Sequence, residues 1–208
     1  GRFTRGAVLD AVAGRVNELG ADLVCFTGDL IDYTLADLPE ALAMARQFRA
    51  RHGVFSCEGN HDLFEGREQF RRAMDRADVG FLVNDAATVT IRGQRVQVLG
   101  LRWGGDGGGR GAQFDANVEK IAHWLDPGAF QVLLAHHPHA FDDAARLGIP
   151  LTLSGHTHGG QLNIAEGRGP VQAWFKYMRG LYRRLGARGV ASCVVSNGVG
   201  NWFPLRIN

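Results

Sequence analysis

The sequence predicts a single α/β domain, and three observations carry that expectation. Apolar, β-branched runs of strand length, at residues 22–27, 53–57, 130–135, 151–154 and 190–196, are interspersed with stretches whose apolar residues recur at helical spacing. Residues rich in Asp, Asn and His follow several of these runs directly, as ligand-binding residues do outside the carboxyl ends of strands in α/β proteins. The 208 residues, 45% hydrophobic and 21% charged, suffice for one sizeable core and show no internal boundary.

Taken in order, residues 4–19 place Ala7, Val8, Val12, Val16 and Leu19 on one helical face, and Gly20 stops the helix. The run 22–27 is a buried strand that ends in Gly28, Asp29 and, a little further, Asp32. A second helix is expected over 35–50 and a second strand over 53–57, followed by Glu58, Gly59, Asn60, His61 and Asp62. Residues 66–77 read as a helix and 81–83 as a short strand. Residues 88–101 alternate as a hairpin turning near 92–94. The glycine-rich stretch 104–111 lacks the spacing and the Lys-Ser or Lys-Thr of a phosphate loop and reads as a lid or linker. Asp115 caps a helix reaching about Leu125. The strand 130–135 then delivers His136 and His137 to a turn at Pro138.

The stretch LTLSGHTHGGQ, 151–161, is the organising one. A strand breaks into a glycine-flanked turn carrying His156 and His158, whose spacing lets both rings face one pocket in extended backbone. Residues 174–188 interleave aromatic and basic side chains, which suits a packed loop or hairpin, or contact with an anionic substrate or a membrane surface. Residues 190–196 form the last strand, followed by Asn197 and Gly198.

A formal net charge of +2 and the lack of any long basic block argue against nucleic acid as a stable partner. Cys25, Cys57 and Cys193 lie in apolar runs without paired spacing, which fits a reducing compartment and makes the cytoplasm the expected location. No stretch reaches the ~18 apolar residues of a membrane span. No obligate protein partner is indicated.

Asp29, Asn60, His136, His156 and His158 thus each sit just past an expected strand. Carboxylate, amide oxygen and imidazole without thiolate suit a divalent manganese, iron or zinc ion. An aspartate can bridge two such ions about 3.5–4 Å apart, a pairing suited to phosphate-ester hydrolysis.

The order GDLID, GNHD, a histidine after a strand, and GHTH resembles the calcineurin-like metallophosphoesterases over most of the chain. The tail from Gly180, with the GHTHGGQ form, is similar more narrowly to their bacterial membrane-associated phosphodiesterase branch. The resemblance implies a four-layer α/β/β/α sandwich with a two-metal site at one edge. It implies that Asp29 bridges two divalent ions, that Asn60, His136 and His156 complete one site, and that His158 serves the other. His61 would protonate the leaving oxygen or hold a phosphoryl oxygen, with Asp62 orienting its ring and Asp32 in support. The substrate would be a phosphate ester, preferably a diester or pyrophosphate-linked lipid. A phosphomonoester is the alternative, and peripheral membrane contact is left open. The family's first strand ends in D-x-H, a motif that does not occur before Asp29. The expectation is therefore a truncated or processed version of a longer protein, with a non-catalytic scaffold as the alternative from another class.

Overall fold

The computed structural model describes residues 6–77, 79–104, 118–161 and 175–200. Its two sheets differ in size. β1 (Val24–Phe26), β2 (Val54–Ser56) and β3 (Gly80–Phe81) form a parallel three-stranded sheet. The six-stranded sheet runs β4-β5-β6-β7-β9-β8. Its strands are β4 (Asp85–Ile91), β5 (Gln94–Gly100), β6 (Phe130–Leu134), β7 (Leu151–Ser154), β8 (Gly180–Gly186) and β9 (Gly189–Val195). β5, β6, β7 and β9 are mutually parallel, while β4 and β8 pair antiparallel at the two edges.

The strand period of two assigns each side chain to a layer. Val132 and Leu134 face inward with Phe55, Cys57, Leu82 and Val98, forming the seam between the sheets. Leu133, between them, faces outward with Leu99 onto Ile121, Ala140 and Ala144. On the far side, Leu38, Leu42, Phe70 and Met74 of α2 (Leu38–Ala45) and α3 (Arg67–Asp75) pack with Ile31. Helices therefore cover both outer faces, and the architecture is the four-layer α/β/β/α sandwich. Residues 7–18 form α1 (Ala7–Glu18), which lies beside α2.

Several elements differ from the sequence reading for physical reasons. The helix expected over 35–50 is a 3₁₀ turn followed by α2 and ends at Ala45. Beyond it, Asn17 of α1 takes over the backbone: its amide donates to the Gln47 carbonyl at 2.8 Å and accepts the Arg49 N–H at 2.7 Å. The hairpin starts earlier, at Asp85, and turns through Arg92 and Gly93 with φ of 51° and 79°, as a tight two-residue turn requires. The short strand expected over 81–83 is Gly80–Phe81. A helix that the sequence reading passed over, α4 (Ala140–Arg146), follows Pro138 and packs Phe141 and Ala145 against β9. The stretch 174–188 resolves into β8, while Trp174, Asp115 and residues 105–111 of the glycine stretch lie outside the described residues. Within 118–124 the chain is 3₁₀.

Candidate metal centre

Because β1, β2, β5, β6, β7 and β9 deliver their carboxyl ends to one edge, the residues just past them converge there. Ligand atoms of Asp29, His136 and His156 all lie within 4.8 Å of one another. Asp29 Oδ2 is 2.9 Å from His136 Nε2, and His156 Nδ1 is 2.9 Å from the Asn60 side-chain oxygen. His158 borders the same cavity, of about 340 Å³, as Asp29, His136 and His156. All seven residues singled out for the site, including His61 and Asp62, thus sit on neighbouring loops.

The backbone is bent to make this possible. Asp29, His156 and His158 have φ of 56°, 69° and 50°, the left-handed region that residues with a Cβ rarely occupy. Such conformations cost on the order of 1–3 kcal/mol each and persist only where surrounding contacts enforce them. Those contacts are visible. The Asp62 carboxylate accepts the N–H groups of Gly59 at 2.8 Å, Asp29 at 2.9 Å and Ile31 at 3.0 Å, so one side chain staples the loop after β2 to the loop after β1. The loops meet so closely that a Cβ on Gly59 would lie 2.2 Å from Asp29 Oδ1 and 2.4 Å from its nitrogen.

This geometry corrects one expectation. Asp62, expected to orient the His61 ring, spends both oxygens on backbone N–H groups. The ring's Nδ1 instead lies 2.7 Å from the Asp32 carbonyl oxygen and 3.2 Å from its carboxylate. The 3₁₀ turn at His61–Leu63 is the cause, since it points consecutive side chains in different directions. Asp32 comes from the loop after β1 and meets His61 from the loop after the neighbouring strand β2. His61 in turn donates its backbone N–H to Asp29 Oδ1 at 2.9 Å.

The electrostatics suit a cation. Burial raises the Asp29 carboxyl, but His136 and His61 outweigh it and hold the group at about 2, ionised throughout the physiological range. Burial and the neighbouring His136 and His137 push His156 down to about 3, so its ring is neutral with a lone pair available. The His136 Nδ1 lies 2.5 Å from the Thr27 carbonyl oxygen, which assigns its proton to that nitrogen and turns Nε2 toward Asp29. That Nε2 is buried and makes no well-directed hydrogen bond. Against the effect of burial, the Asp29 carboxylate facing Nε2 raises the His136 pKa, so this position favours positive charge, which a proton or a divalent cation can supply. The opposite nitrogen is anchored to a main-chain oxygen, as in histidines held for a metal ion. The donor set therefore fits a divalent cation.

Five neighbours carry no role that the sequence reading assigns. His137 is buried, its ring 5.0 Å from that of His156 and 4.6 Å from that of His139. Trp103, just past β5, has its ring centroid 5.3 Å from that of His136 and 5.0 Å from that of His156. Its main chain is held by Glu58, which is itself gripped by Arg71. Trp103 follows β5 as the ligands follow their strands, but an indole lacks the polar signature that marks Asp, Asn and His at the other strand ends. Nothing local marks Arg71.

A family profile described as calcineurin-like phosphoesterase matches residues 4–160. Among curated proteins, an uncharacterised metallophosphoesterase of Campylobacter jejuni is 30% identical over 96% of this chain and 51% of its own length. One from Helicobacter pylori is 29% identical over 94% and 50%. A transmembrane protein with metallophosphoesterase domain from Danio rerio is 32% identical over 74% of this chain and 37% of its own. The chain thus spans about half the length, or less, of these relatives. Among solved structures, a 5'-nucleotidase precursor from Thermus thermophilus superposes with a TM-score of 0.58 at 18% identity, covering 93% of this chain and 42% of that one. The phosphopantetheinyl hydrolase of Mycobacterium tuberculosis gives 0.52 at 13% identity, covering 85% and 79%. These two likenesses concern the fold alone. With its ligand loops, its two-sheet frame and the profile match over most of its length, the chain belongs to the calcineurin-like phosphoesterases.

Proposed function

We propose that this domain hydrolyses phosphate esters with the help of two divalent ions, taking diesters or pyrophosphate-linked lipids in preference to monoesters. The observation that carries the reading is the convergence of Asp29, His136 and His156 ligand atoms within 4.8 Å from three different strand ends. Asp29 would hold both ions, Asn60, His136 and His156 would complete one site, and His158 would serve the other. Manganese, iron and zinc all suit this donor set. Ions bound there supply Lewis acidity toward phosphoryl oxygens and lower the pKa of water.

The chain's own residues do the rest. His61 gives a proton to the departing ester oxygen as the P–O bond breaks. Its Nδ1–H is committed to the Asp32 carbonyl, which leaves Nε2 as the nitrogen that transfers the proton. Asp32 thereby fixes the tautomer, and Asp62 keeps the Asp29 and Asn60 loops in register. β1 pairs only with β2 among the described strands, and its other side borders the apolar cavity lined by Val12, Val16 and Phe26. We read that edge as the place of a strand carrying D-x-H, which would bring further ligands to the ion at His158. Membrane proximity belongs to the same proposal: the Danio rerio relative is named a transmembrane protein, although no helix among the described residues is long and apolar enough to cross a membrane.

The test is elemental mass spectrometry of the purified chain, counting manganese, iron and zinc separately, beside hydrolysis of bis-p-nitrophenyl phosphate and p-nitrophenyl phosphate. Bound metal with faster turnover of the diester supports the reading. Faster turnover of the monoester overturns the substrate preference. A chain that takes up no metal and cleaves neither would be a scaffold.

A further inference from the structure

Outside the ligand set, the least expected feature is a buried carboxylate aimed at the loop after β5. Glu58 is fully buried, and its partner Arg71, on α3, is 19% exposed. Arg71 donates from Nε at 3.0 Å and from Nη2 at 2.9 Å, gripping both carboxylate oxygens. A buried ion pair of this kind is weak evidence for stability, since apolar residues of similar volume often serve as well. Glu58 does something that an apolar residue could not: its Oε1 also accepts the backbone N–H of Trp103 at 2.9 Å. The preceding N–H, of Arg102, donates to the Asn84 side-chain oxygen at 3.0 Å, so two consecutive peptide groups are held by side chains from other loops. The Trp103 ring so placed lies edge-on to His136, with planes at 70°, and tilted by 44° and 46° to His156 and His137.

We propose that Glu58, held by Arg71, is a positioning residue that sets the Trp103 indole as a wall fixing the His136 and His156 rings for metal binding. The inference rests on the metal reading above and adds to it what orients two of the ligands. Trp103 supplies the wall by packing, and Glu58 sets where that wall stands. Neighbours that orient metal-binding imidazoles typically govern affinity by about 10–100-fold.

The experiment is titration of the intact chain with cobalt(II), read by the visible absorption band of the bound ion and by quenching of tryptophan fluorescence. Trp103→Ala should weaken cobalt binding about tenfold and shift the band, while Trp103→Phe should retain most of the affinity. Glu58→Leu should weaken binding by a similar factor in the wild-type background and by little in the Trp103→Ala background. Glu58→Gln, whose amide oxygen can still accept the Trp103 N–H although the ion pair is gone, should rescue most of the loss. Equal losses from Glu58→Leu in both backgrounds, or the absence of rescue by Glu58→Gln, would mean that the pair is only structural and overturn the proposal. Where Glu58→Leu does not fold, the tryptophan variants decide: an unchanged band and affinity in Trp103→Ala overturn it. Cobalt uptake by the wild type with unaffected variants would defeat this proposal alone. No uptake by the wild type would defeat the metal reading with it.

Discussion

Replacing Asp62 by Asn separates a scaffolding carboxylate from one that tunes a catalytic histidine. The substitution keeps the shape but turns one of two acceptor oxygens into a donor. The less costly orientation leaves oxygen facing the N–H groups of Gly59 and Asp29 and sets the amide against the N–H of Ile31. One charge-assisted hydrogen bond is lost, at about 1.5–3 kcal/mol, and a buried donor loses its partner. Burial and the charge of Asp29 push the Asp62 carboxyl up to about 7, so part of the ionised form's cost is relieved in the variant. The net loss therefore falls near the lower end, about 2 kcal/mol. For a chain of 208 residues that corresponds to about 4–8 °C in melting temperature. Thermal unfolding followed by circular dichroism reads the first effect, and metal titration should show weaker binding because the Asp29 loop has lost one of its anchors. An unchanged melting temperature and metal affinity, combined with a fall in turnover, would refute the reasoning and return Asp62 to the His61 ring.

The other expectations concern neighbouring loops and the thiols. His61→Ala should keep metal binding nearly intact and lower turnover by roughly a hundredfold or more, as loss of a general acid does; unchanged turnover removes its role. Gly59→Ala drives a Cβ against the Asp29 main chain, so it should cost about 1–3 kcal/mol and most of the metal affinity. Gly93→Ala, in the open hairpin turn, should leave metal binding alone, and equal metal loss in the two variants would contradict the packing account. Burial pushes the Cys25 thiol up to about 11 and Cys193 up to about 12. Thiolate is therefore scarce at pH 8 and appears only as pH rises toward those values. Iodoacetamide should label the folded chain slowly at pH 8 and the unfolded chain quickly, by mass spectrometry; fast labelling of folded Cys193 would contradict its burial.

Much of this site is legible because parallel strands put their chemistry at one end. The apolar runs before Asp29, His136 and His156 end abruptly in polar residues, and chain order alone then predicts convergence. What stays illegible depends on contacts between distant segments. Asp32 and Asp62 cannot be told apart as partners of His61 from spacing, because a single 3₁₀ turn decides which carboxylate meets the ring. The early end of α2 comes from Asn17, some thirty residues away, which intercepts the backbone beyond Ala45. α4 is seven residues long, too short for helical spacing to stand out after a proline. The Glu58–Arg71 pair joins a strand end to a helix whose exposed face shows ordinary surface charge.

The left-handed backbone at Asp29, His156 and His158 bears on when the site comes into being during folding. Asp and His enter these conformations more readily than most side chains do, yet the bonds that secure their loops join residues 33, 96 and 109 positions apart. No contiguous stretch of chain can therefore assemble the ligands by itself. Ion uptake during refolding should lag behind the appearance of helices and strands and coincide with docking of the two sheets. A tightly bound ion would then act as a latch on the closed sandwich, stabilising it by mass action with the logarithm of its affinity.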